Sequence, residues 1–251
     1  MKNLVYYTVG CSPSYIDILH LSVSSLRKSG WVGDVAVLCD ESFLDRCKQV
    51  LGPDVQYLAL PDSPTPEQAS MNKLRIFELP TIDDYDRVLF LDSDIVVDTD
   101  VNSFFSRVDR DGILYVYTET QNQDDHTSLY WSLQSYTEEE LASFKANSVY
   151  VFNAGCFAFV RSNTMRDHFT AIQYMIMNHA GAFFYEQSFM NVYFNRNGQT
   201  DRSLLTSGVY AFQPKPGVAY PNRIIHFAGY PGVGLGKYER MTAYMNTYLL
   251  S

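Results

Sequence analysis

Cysteine is scarce in this chain. Cys11, Cys39, Cys47 and Cys156 are the only four, and no two of them form a Cys-x-x-Cys pair. Four scattered thiols in 251 residues do not suggest a disulfide scaffold, and they fit a reducing, cytoplasmic compartment. No Asn-x-Ser/Thr sequon occurs, which agrees. Long apolar runs are also missing. None approaches the roughly 18 residues of a membrane span, and the apolar run after Met1-Lys2 is too short for a signal peptide. Positive charge is short as well, with 19 Lys and Arg against 28 Asp and Glu and a net charge of −9. Such a chain repels nucleic acid and anionic membranes, so neither is expected as a partner. Internal repeats, low-complexity tracts and linkers are lacking too, and a single domain spanning residues 1–251 is expected.

What the sequence does hold is apolar and aromatic residues, at 46% and 15%, enough for a thick core or for a site that stacks rings and sugar faces. Their periodicity alternates. Leu4 to Val9, Val35 to Cys39, Val55 to Leu60 and Arg87 to Leu91 read as strands, separated by helical patterns after Ser12-Pro13, from Phe43 to Leu51 and from Glu67 to Leu79. Ser12 is expected to cap the first helix, with Pro13 at its first position. Further strands are expected over Ile113 to Thr118 and Tyr150 to Val160, with helices near 137–147, 164–179 and 187–195. This order predicts an α/β fold with a mostly parallel sheet flanked by helices, whose ligands sit beyond the carboxyl ends of the strands.

Asp92-Ser93-Asp94 stands at such an end, directly after Val88-Leu89-Phe90-Leu91. Two carboxylates one residue apart can reach one hard cation once the chain leaves the extended state, but a pair of solvated turn aspartates has the same spelling. Phosphotransferases of the haloacid dehalogenase type also place Asp-x-Asp after a strand, though near the start of their domain. Here three strands come first.

Taken with Lys73-Leu74-Arg75 before it, and with Phe152-Asn153-Ala154-Gly155, Glu186-Gln187-Ser188-Phe189-Met190-Asn191 and His226-Phe227-Ala228-Gly229 after it, the segment resembles the donor-site motifs of family-8 glycosyltransferases. The resemblance runs from about residue 4 to residue 240. It implies a GT-A fold with a mixed sheet, and transfer of a hexose, glucose or galactose, from a UDP-sugar to a glycan or protein hydroxyl with retention of configuration. It also implies Mn²⁺, with Mg²⁺ as the alternative, held by Asp92, Asp94 and His226. Ser93 lies between the two acidic ligands. Lys73 is implied at the donor sugar or phosphate, Asn153 and Gly155 at the sugar, Thr8 and Tyr15 at the nucleotide, and Glu186 and Gln187 beside the anomeric carbon. Gly229, Lys237 and the N–H groups around Gly232, Gly234 and Gly236 are implied near the phosphates. The ending departs from the family, which has Lys-Pro-Trp where this chain has Lys237-Tyr238-Glu239.

Two other readings stand beside this one. A nucleotide-sugar binding protein without transfer would keep the fold, but Asp92, Asp94 and His226 are all present. A sugar-phosphate nucleotidyltransferase would carry a basic, glycine-rich loop after the first strand, whereas Gly10-Cys11-Ser12-Pro13 has no basic residue. A homo-oligomer is compatible with the sequence, which is silent on the acceptor.

Overall fold

A computed structural model of the chain describes residues 1–118, 137–147, 149–178, 185–206, 208–229 and 236–249. Its first half is regular. Strand β1 (Asn3–Val9) is followed by helix α1 (Ser14–Lys28), β2 (Asp34–Asp40), α2 (Leu44–Leu51), β3 (Gln56–Leu60), α3 (Pro66–Met71) and β4 (Arg87–Leu91). Next come β5 (Ile95–Val97), α4 (Asn102–Phe105), β6 (Leu114–Thr118), α5 (Glu138–Ala146), β7 (Phe152–Val160), α6 (Asn163–Asn178) and α7 (Tyr185–Arg196). Strands β8 (Thr200–Leu205), β9 (Tyr210–Phe212) and β10 (Ile224–His226) precede the last helix, α8 (Lys237–Tyr244).

Among the described residues seven strands make one sheet in the order β3-β2-β1-β4-β7-β6-β8. Strand β1 pairs in parallel with β2 and β4, and β2 with β3, the pairing that helical crossovers between successive strands allow. Strand β7 then inserts antiparallel between β4 and β6. The sheet is therefore mixed, as expected. Alternate residues of its central strands face opposite layers: Val5, Tyr7, Val37, Leu89 and Leu91 pack into one core, Leu4, Tyr6, Leu38, Val88 and Phe90 into the other. Helix α1 closes the first layer with Ile16, Leu19, Val23 and Leu26, and Gly30 ends its turn at φ +95°.

A second, three-stranded sheet, β5-β10-β9, was not expected. Its strands are three residues long; the apolar run Ile224-Ile225-His226-Phe227 reads as a strand in the sequence, but the pairing of three such short strands into a sheet does not show there. Two further expectations are corrected. The helix expected from Glu67 to Leu79 is α3 followed by a tighter 3₁₀ stretch, Asn72–Glu78, because Asn72 and Lys73 turn inward as buried polar groups. Thr65, ahead of Pro66, caps α3 by accepting the Gln68 N–H. Nor does Ser12 cap α1. Its hydroxyl pairs with that of Ser14 at 2.9 Å, and α1 begins after Pro13, because Cys11 takes φ +64° and redirects the chain first.

Candidate donor and metal site

Strand β4 leaves the large sheet at Leu91 and enters the small one at Ile95, so Asp92-Ser93-Asp94 is the turn between two sheets. Backbone bonds hold that turn on both sides. Asp92 N–H donates to the Gly155 carbonyl of β7 at 2.7 Å, and the Asp94 carbonyl accepts the Phe227 N–H at 2.9 Å. Because β10 runs antiparallel to β5 with His226 opposite Ile95, the imidazole arrives beside the carboxylates from a segment more than 130 residues away in sequence. One ligand atom each from Asp92, Asp94 and His226 lie within 4.8 Å of one another.

Neighbours fix this set. His226 Nε2 is 3.0 Å from Asp94 Oδ1 and 3.8 Å from Asp92 Oδ2, while its Nδ1 bonds the Tyr210 hydroxyl at 2.6 Å, which sets the ring's orientation. Gly155 leaves the room: a Cβ there would fall 2.4 Å from His226 Cε1 and 2.7 Å from Asp92 Oδ2. Two carboxylates and one imidazole, cleared of side chains on one flank, suit a hard or borderline divalent cation.

Two ammonium groups accompany them. Lys73, 4% exposed, stands 2.5 Å from Glu186 Oε1 and 3.3 Å from Asp92 Oδ1, and donates to the Ala154 carbonyl at 3.2 Å. Burial works against its charge, but Asp92 and Glu186 outweigh burial and hold its pKa above the ordinary lysine value. Lys237 lies 2.5 Å from Asp94 Oδ2 and over the Tyr15 ring, 5.4 Å from its centroid. Its pKa is pushed up to about 12, the pull of Asp94 outweighing desolvation. The two aspartates diverge. Burial raises Asp92 despite Lys73, whereas at Asp94 burial is overcome by His226 and Lys237 and the carboxyl falls well below its usual range.

Both aspartates and both lysines border a cavity of about 430 Å³, the size of a small-ligand cleft, whereas the buried His226 is not among its lining residues. Thr8, Tyr15, Lys73, Asp92, Ser93, Asp94, Asn153, Gly155, Glu186, Gln187 and Lys237 all line it. Gln187 accepts the Ala154 N–H at 3.0 Å, so α7 braces β7 at the wall, and within β7 Asn153 Oδ1 accepts the Gly155 N–H at 2.8 Å. Gly229 stands back from the lining, against the Lys237 side chain. Gly236 precedes α8, and Gly232 and Gly234 lie outside the described residues. Pro66, Ala69 and Ser70 also line the cavity, on a helix whose sequence gave no sign of it.

The model of the glycosyl transferase family 8 matches residues 40–210, more than half of the chain. The chain belongs to that family. Among curated proteins none matches it in sequence. Solved structures do match in shape. An active-site mutant of LgtC aligns at TM-score 0.66 with 14% identity, over 97% of this chain and 95% of that one. The galactosyltransferase LgtC in complex with donor and acceptor sugar analogues aligns at 0.65 with 15% identity and the same coverage. The bifunctional glycosyltransferase WbbM aligns at 0.63 with 16% identity, over 91% of this chain and 46% of that one. Like LgtC, this family-8 chain has the GT-A fold. None of its described helices is long and apolar enough to cross a membrane.

Proposed function

We propose that this family-8 glycosyltransferase moves a hexose, glucose or galactose, from a UDP-sugar to an acceptor hydroxyl of a glycan or protein, retaining the anomeric configuration and depending on Mn²⁺. One observation carries the reading. The Asp92, Asp94 and His226 ligand atoms converge within 4.8 Å of one another, and the two aspartates line a cavity that also presents the buried Lys73–Glu186 pair.

In this reading Thr8 and Tyr15 take the nucleotide end and Asn153, Gly155, Glu186 and Gln187 the sugar end. Asp92, Asp94 and His226 would hold the cation, with Mg²⁺ as the alternative, and the ion would supply Lewis-acid stabilisation of the diphosphate leaving group. Lys237 adds a donor to the same oxygens, exchanging part of its contact with Asp94 for phosphate. Lys73 pairs with Glu186 and holds it in place, so that its carboxylate faces the positive charge that develops at the anomeric carbon. The acceptor oxygen bonds to that carbon on the face from which UDP departs, and its proton passes to the leaving phosphate oxygen. Glu186 then stabilises without bonding, and no covalent intermediate forms.

The test is turnover of UDP-glucose, UDP-galactose and other nucleotide sugars with Mn²⁺, Mg²⁺ or EDTA. Wild-type turnover should need the metal, and Asp94→Ala should lower kcat/KM by at least about a hundred-fold, the scale of removing one group that stabilises charge in the transition state. Turnover unchanged by EDTA and by the substitution would sink the metal assignment.

A further inference from the structure

Behind the cavity wall runs a chain of buried polar groups that the reaction itself does not use. Asp40, the last residue of β2, is 2% exposed, with Ser63 at 6% and Asn72 at 5%. Asp40 Oδ2 accepts the Cys11 N–H at 2.7 Å, and its Oδ1 accepts the Ser63 hydroxyl at 2.9 Å. Ser63 Oγ in turn accepts the Asn72 amide at 3.1 Å. One end of this chain is therefore the loop after β1, and the other is the residue next to Lys73.

Both ends line the cavity. Gly10, Cys11, Ser12 and Lys73 are among its lining residues, whereas the buried Asp40, Ser63 and Asn72 are not. The loop needs such support. Cys11 sits at φ +64°, a left-handed conformation that a non-glycine residue keeps only where its surroundings hold it. Gly10 is packed so closely that a Cβ would come 2.8 Å from Asp40 Oδ1. A carboxylate accepting a backbone N–H is among the stronger hydrogen bonds a protein makes, and burial strengthens it further.

We infer that Asp40 is a positioning residue for the donor: through Cys11 it fixes the nucleotide loop, and through Ser63 and Asn72 it sets that loop's distance from Lys73. The inference rests on the reading of the cavity as a nucleotide-sugar site.

Cys11 supplies the probe, being part-exposed while Cys39, Cys47 and Cys156 are buried. Alkylation by iodoacetamide of the folded protein, with and without UDP and Mn²⁺, reports the loop directly. UDP should slow alkylation in the wild type. Asp40→Ala should raise the Kd for UDP about ten-fold, the loss of one charge-assisted bond, and speed alkylation of the unliganded protein by a similar factor. Asp40→Asn keeps an oxygen for the Cys11 N–H and should restore most of both. In turnover the change should appear in the donor KM far more than in kcat, since the loop grips substrate and transition state alike. Should Asp40→Ala fail to fold, Ser63→Ala decides, with an expected rise of several-fold in the UDP Kd. Wild-type UDP affinity and alkylation rate in the folded variants overturn the positioning role alone. Failure of UDP to protect Cys11 in the wild type overturns the nucleotide reading of the cavity, and this inference with it.

Discussion

Gly155 is where a single methyl group separates a usable cation site from a blocked one. Its backbone lies in β7, paired with β4 at the point where the carboxylates leave the sheet, and its missing side chain is the space that His226 and Asp92 share. A contact of 2.4 Å cannot stand, so Gly155→Ala must push the imidazole or the carboxylate aside. The φ of Gly155 is not left-handed, so the backbone itself accepts alanine. Activity should therefore fall about a hundred-fold or more, while the melting temperature stays within a few degrees of the wild type, as differential scanning fluorimetry and a donor-hydrolysis assay would show together. A large loss of stability would mean that the methyl group disturbs β7 rather than the site. Residues of this kind were legible in the sequence because they sit in short motifs, and the fold brings Lys73, Asp92, Asp94, Asn153, Gly155, Glu186 and Gln187 to one cavity. Asp40 and Tyr210 were not. They act through partners 29 and 16 residues away, and nothing beside them in the chain marks the contact.

At the scale of elements, the short turn from β4 to β5 is what converts a strand end into a site. The β-α-β half was readable because its apolar runs are long and regularly spaced. The order beyond β4 was not, because the antiparallel insertion of β7 and the pairing of β10 with β5 depend on contacts between distant segments. Helix α7 shows how such contacts are secured. Asn191 clamps it to β7, its amide oxygen accepting the Phe152 N–H at 2.9 Å and its nitrogen donating to the Phe152 carbonyl at 3.0 Å. Helix α6 is tied to α7 by His168, whose Nδ1 meets the Tyr193 hydroxyl at 3.0 Å and whose Nε2 meets the Gln199 amide at 3.1 Å. Burial lowers the His168 pKa below the ordinary histidine value, against the weaker opposing pull of Asp111 and Asp167. The unfolded chain therefore binds this proton more readily than the folded one. The stability His168 contributes is fully present above its unfolded pKa and is lost as pH falls through the folded one. Urea midpoints at pH 7.5 and 5.5 should fall further for the wild type than for His168→Gln. Equal falls would show that the α6–α7 contact does not sense this proton.

Over the whole molecule, a net charge of −9 sets the terms on which a dianionic diphosphate can bind. The field of the chain opposes it, and at the site three carboxylates, Asp92, Asp94 and Glu186, outnumber two ammonium groups, Lys73 and Lys237. A bound cation reverses that local balance, so metal and UDP should stabilise the fold together more than either does alone. At ligand concentrations a hundred-fold above Kd the linkage is worth about 2.7 kcal/mol. For a chain of this size that raises the melting temperature by about 5–10 °C. Mn²⁺ with UDP should give this shift, EDTA should abolish most of it, and Asp94→Ala should behave as the wild type does in EDTA. A full shift from UDP in EDTA would mean that Lys73 and Lys237 neutralise the diphosphate unaided, and that Asp92 and Asp94 serve the fold by pairing with those lysines and with His226 rather than by holding a metal.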